Sequence, residues 1–109
     1  MKTAIVILIV LLLSTVVSSA SNCNDLFNIS EAAYLRLERN CTSARDRVKT
    51  TYVCSQKIHD SINVNLQDID KMIDAMKQAK KLCPALSADF ENLLQLSYNL
   101  KSECSKICD

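Results

Sequence analysis

The chain has 109 residues with 13 basic and 12 acidic side chains, six cysteines, one histidine, one proline, and neither glycine nor tryptophan. A formal net charge of +1 provides no electrostatic footprint for nucleic acid and no strong pull toward an anionic membrane. The missing glycine argues against a sheet of tight hairpins, whose turns need the positive φ that glycine supplies cheaply, so composition alone points to an all-α fold.

The chain opens with Lys2, an uninterrupted apolar run from Ala4 to Leu13, and a close on the small residues Ser18, Ser19 and Ala20. This pattern predicts a signal peptide over 1–20, cleaved after Ala20. The apolar run falls short of the roughly 20 residues that a membrane span needs. Cys108 is the penultimate residue, which fits no prenylation box. Residues 21–109 are therefore expected to be a single secreted, extracellular helical domain with no membrane span.

A first helix is predicted from Asp25 or Ser30 to Cys41, where Leu26, Ala33, Tyr34, Leu37 and Cys41 recur at three- and four-residue steps. Ser43 followed by Asp46 has the form of a capping box and predicts a new helix over 44–59, with Ala44, Val48, Thr51, Ser55 and Ile58 as its stripe. The strand-favouring residues from Val48 to Val53 stay helical in this reading because no second run of that kind exists to pair with them. Asp60, Ser61, Asn63 and Asn65 then predict a turn near Asn63.

A third helix is expected over 65–82, with Leu66, Ile69, Ile73 and Met76 on one face and Gln67, Asp70, Asp74, Lys77 and Lys81 on the other. Pro84 ends it. Ser87 caps a fourth helix over 87–107 that carries Phe90, Leu93, Leu94, Leu100, Cys104, Ile107 and Cys108. The expectation is a small up-down four-helix bundle, stapled by three disulfides.

All six cysteines follow the leader, and their even number in a short chain implies three bridges made in an oxidising compartment. In an up-down bundle Cys41 and Cys83 share one pole. Cys23, Cys104 and Cys108 share the other, with Cys54 about one turn short of it. The pairing expected from this geometry is Cys41–Cys83, Cys54–Cys104 and Cys23–Cys108. Each bridge closes a long loop, worth on the order of 4 kcal/mol in the chain-entropy account.

The inventory for chemistry is poor. His59 is the only histidine, and cysteines committed to bridges provide no thiol to act with it. Cys104 and Cys108 stand one helical turn apart without a second such pair, and Asp68, Asp70 and Asp74 lack the glycine and terminal glutamate of a calcium loop. No catalytic residue, metal or cofactor is expected, and the chain reads as no enzyme. Asn28-Ile29-Ser30 and Asn40-Cys41-Thr42 are acceptor sequons, with Asn28 the better placed of the two.

Charge is uneven. All the arginines lie from Arg36 to Arg47, at positions 36, 39, 45 and 47. The four-helix reading gathers them with Lys49, Lys77, Lys80 and Lys81 at one pole, and gathers Asp25, Asp60, Asp68, Asp70, Glu103 and Asp109 at the other. Cations near helix C-termini complement the macrodipole, but Arg45 and Arg47 would stand in a first turn, the unfavourable end. The functional expectation is a secreted interaction protein of signal, pheromone, toxin or immune-effector type. It would bind an extracellular protein or acidic surface through Arg36, Arg39, Arg45 and Arg47, with Tyr34 and Tyr52 as flanking anchors. The alternative is a carrier that holds a small apolar ligand between the helices.

Overall fold

The structure, a computed structural model, describes residues 20–109. The signal peptide expected over 1–20 lies outside the described residues apart from Ala20. Helix α1 spans Ala20–Thr51, α2 spans Gln56–Leu82 and α3 spans Ser87–Ser105, with one 3-10 turn at Pro84–Leu86 between the last two. The all-α class holds, and there is no strand among the described residues. Three long helices stand where four were expected.

The expected helix over 44–59 is divided: residues 44–51 continue the first helix without a break, and 56–59 begin α2. Leu26, Ser30, Ala33, Leu37, Cys41 and Ala44 are all buried, and their three- and four-residue steps run through 41–44 without a change of phase. Ser43 and Asp46 therefore cap nothing; both are exposed positions inside α1. Buried Ser30 satisfies its own hydroxyl by donating to the Leu26 carbonyl at 2.8 Å.

The chain turns at 52–55. Tyr52 has φ 58°, and its N–H donates to the Val48 carbonyl at 2.7 Å, closing α1 with the left-handed cap that glycine usually supplies. Thr51 donates its hydroxyl to the Arg47 carbonyl at 2.8 Å, satisfying another carbonyl of the last turn. Ser55 then starts α2 from extended backbone, its side chain accepting the Ile58 N–H at 3.3 Å.

Helix α2 passes straight through the turn expected near Asn63. Its inner face is Ile58, Ile62, Asn65, Ile69, Met72, Met76 and Ala79, all buried, in alternating four- and three-residue steps. Two polar side chains lie on the buried side, Asn65 at 0% and Asp68 at 2% exposure. The carboxyl oxygen Oδ2 of Asp68 has no hydrogen-bond partner. Helix α3 buries the expected Phe90, Leu93, Leu94, Leu100 and Cys104, and also Ser97, whose hydroxyl donates to the Leu93 carbonyl at 2.8 Å.

The bridges are Cys23–Cys83, Cys41–Cys104 and Cys54–Cys108, with Cα separations of 5.8, 5.6 and 5.7 Å. None of the expected pairs Cys41–Cys83, Cys54–Cys104 or Cys23–Cys108 forms. The reason is the position of the turn. With α1 unbroken to Thr51, its start meets the end of α2, so Cys23 rather than Cys41 faces Cys83. Helix α3 then runs parallel to α1, which carries Cys104 to the middle of α1 and Cys108 to the loop that holds Cys54.

The molecule is a rod of 49 × 24 × 15 Å, and its long dimension matches a 32-residue helix of about 48 Å. Leu26, Ile69, Met72, Met76 and Phe90 are 0 to 1% exposed and form the centre of the core. Phe27 packs edge-on against Phe90, with ring centroids 5.3 Å apart at 78°. No helix among the described residues is long and apolar enough to cross a membrane.

Candidate functional site

The arginines lie along the second half of α1. Arg45 and Arg47 are therefore not in a first turn but inside the C-terminal half of α1, where of the basic residues only Lys49 stands in the last turn, so the unfavourable dipole placement expected for them does not arise. The expected basic pole is split. Lys77, Lys80 and Lys81 stand at the end of α2 beside the Cys23–Cys83 bridge, while Arg47 lies about 36 Å further along α1 from Cys23. Lys80 is paired with Glu91 at 2.7 Å, which holds the Glu91 carboxyl below its usual range, with help from Gln95. The Lys77 ammonium lies over the Tyr98 ring, 5.8 Å from its centroid.

The acidic pole does not form either. Asp25 stands near the start of α1, whereas Asp60, Glu103 and Asp109 share the arginine end. Asp68 is buried, and Asp70 pairs with Lys101 at 2.7 Å.

Of the six residues expected to bind a partner, three are engaged within the fold or free of it in decisive ways. Arg45 reaches Glu103 of α3 at 3.8 Å. Half-buried Tyr34 donates its hydroxyl to Glu38 at 3.1 Å. Burial, then the Glu38 hydrogen bond and the charges of Glu38 and Glu103, push its phenol up to about 12. Tyr52 is 90% exposed at the tip of the loop, with Val53 beside it at 60%.

Arg36 is half-buried, and Arg39 and Arg47 are exposed; none of the three makes an ion pair among the described residues. Arg39 and Arg47, with Thr42, Ser43, Asp46 and Thr50, line a shallow groove of about 480 Å³ on the outer face of α1. This groove ends at Thr51, the residue before Tyr52. Two guanidinium groups, the Thr42 and Ser43 hydroxyls and the Asp46 carboxylate thus share one face with an exposed aromatic at its end, while the Thr50 hydroxyl donates to the Asp46 carbonyl.

The two sequons differ. Asn28 is exposed on α1. Asn40 has its Nδ2, the atom a glycan would join, buried and without a hydrogen-bond partner, and the adjacent Cys41 is 0% exposed in its bridge. In this fold the Asn40 amide nitrogen is turned away from solvent.

One group was not assembled from the sequence. A nitrogen of His59 and the sulfurs of Cys54 and Cys108 lie within 4.8 Å of one another. The two sulfurs are joined to each other, so they are not thiolate ligands. Cys104 and Cys108, one turn apart in sequence, belong to different bridges. The five-residue interval from Cys54 to His59 was visible, but its meaning depends on Cys108 arriving from the far end of the chain.

No protein-family model matches the chain, and comparisons with curated proteins and with solved structures give no match.

Proposed function

We propose that the chain is a secreted, non-enzymatic interaction protein of signal, pheromone, toxin or immune-effector type that binds an acidic protein surface through the outer face of α1. The observation that carries this reading is the pair Arg39 and Arg47, exposed, without an ion-pair partner among the described residues, and lining one groove with Thr42, Ser43, Thr50 and a single carboxylate, Asp46. Arginine suits carboxylate recognition because its planar fork makes two hydrogen bonds at once. Tyr52, 90% exposed beyond the end of that groove, supplies an apolar anchor of the kind that concentrates binding energy. Three disulfides support an oxidising, extracellular setting and give a stiff face that loses little entropy on docking.

The alternative reading, a carrier of a small apolar ligand, needs room between the helices. That space is occupied by Leu26, Ile69, Met72, Met76 and Phe90 at 0 to 1% exposure. A groove of about 620 Å³ is open to solvent and bordered by Lys77, Lys80 and Lys81.

Charge reversal tests the proposal. Labelled protein carrying Arg39→Glu and Arg47→Glu should lose at least about tenfold in affinity for its target cells or receptor at low ionic strength, with the loss shrinking as salt is added. Undiminished binding by the double variant at low salt would falsify the arginine face as the contact surface.

A further inference from the structure

We propose that the Cys54–Cys108 bridge is a thiol-exchange site that accepts a small-molecule thiolate at Cys108, with His59 stabilising the Cys54 thiolate that leaves. The attacking sulfur forms a bond to Cys108 Sγ, the Cys54–Cys108 bond breaks, and its electron pair stays on Cys54. The incoming thiol is the only co-reactant. A second equivalent then releases Cys108 and carries the adduct away as a small disulfide.

Access singles out this bridge. Cys54 and Cys108 are both half-exposed, whereas Cys41 and Cys104 are 0% exposed, and in the third bridge only Cys23 is half-exposed, its partner Cys83 being 2% exposed. A thiolate must approach along the line of the sulfur–sulfur bond, so a bridge open at both ends reacts before one that is enclosed.

Electrostatics sets the direction. Cys54 immediately precedes Ser55, the N-cap of α2, where free N–H groups and the positive end of the dipole favour a thiolate. Cys108 lies just beyond the C-terminus of α3, where the negative end disfavours one. His59 is in the first turn of α2, with its N–H donating to the Ser55 carbonyl at 3.0 Å. Its exposed ring has a nitrogen within 4.8 Å of both sulfurs, so a ring N–H can turn to the Cys54 sulfur as it departs. Exchange therefore places the adduct on Cys108 and leaves Cys54 free. The opened bridge also unties the 52–55 loop from the C-terminus, loosening the segment that presents Tyr52.

The experiment treats the oxidised full-length secreted chain with reduced glutathione under native conditions, quenches with acid, alkylates free thiols and maps the peptides without reduction. The first product is expected to carry glutathione on Cys108 and the alkyl group on Cys54, with Cys23–Cys83 and Cys41–Cys104 intact. His59→Gln, checked for unchanged helicity by circular dichroism, should slow its formation about tenfold, and His59→Lys should restore most of the rate because a proton donor again faces the leaving thiolate. Prior opening of either other bridge, an adduct on Cys54, or a His59→Gln rate equal to that of the unmodified chain each overturns the proposal. These readouts are covalent and independent of partner binding.

Discussion

Tyr52 holds the position that glycine takes at most helix ends of this kind. Its left-handed backbone, φ 58°, costs a side-chain-bearing residue about 1 kcal/mol, and its ring recovers none of that by packing because it is 90% exposed. Tyr52→Gly is therefore expected to raise stability by up to about 1 kcal/mol, read as a higher urea midpoint with an unchanged slope. If Tyr52 anchors the partner, the same variant should bind more weakly, so stability and binding would move in opposite directions. The absence of glycine was legible as an argument against hairpins. It also hid this turn, since the residue that makes it is one that usually favours strands.

Among the elements, the instructive error is the boundary between the first two expected helices. Ser43 and Asp46 have capping chemistry, but the buried stripe through Leu37, Cys41 and Ala44 keeps its phase across them, and packing along a continuous face outweighs a local preference worth about 1 kcal/mol. The true break was concealed for a related reason. Thr51, Ser55 and Ile58 continue the same three- and four-residue steps, so periodicity runs on through the turn. Farther along, buried Asn65 and Asp68 put polar side chains on the inner side of α2, and the capping residues around them imitated a loop. Two alanine variants distinguish the boundaries. Ser55→Ala, which removes the acceptor for the Ile58 N–H, should cost about 1 kcal/mol. Ser43→Ala should be neutral or stabilising by a few tenths of a kcal/mol, as expected for an exposed helix interior; thermal unfolding of both measures the contrast, and a costly Ser43→Ala would restore the discarded cap.

At the scale of the whole molecule, three bridges hold a narrow rod. Cys41–Cys104 is the only bridge with both residues 0% exposed, and it ties the centre of α1 to the end of α3 across a sequence separation of 63. With the other two bridges intact, Cys41–Cys104 closes only the short circuit through Cys54–Cys108, so replacing both cysteines with alanine should lower stability by about 3 kcal/mol in the chain-entropy account, measured by urea unfolding. A loss below about 1 kcal/mol would mean that packing alone sets the contact between α1 and α3. The same topology disperses the charges. It sends Lys77, Lys80 and Lys81 to one end of the rod and leaves Arg39 and Arg47 as the cationic pair without carboxylate partners on the outer face of α1.

The helical class, the commitment of all six cysteines to bridges, the inner faces of α1 and α3 and the poverty of catalytic side chains were all determined by the sequence, because they follow from composition and local period. The pairing of the cysteines, the division of the expected helix 44–59 between α1 and α2, the enclosure of the Asn40 amide nitrogen and the meeting of His59 with Cys54 and Cys108 were decided by tertiary structure. Each depends on where the chain reverses, and a reversal at 52–55 or near Asn63 leaves the local hydrophobic period almost unchanged. Only the packing of three whole helices against one another, through a face continuous from Leu26 to Ala44, selects between them.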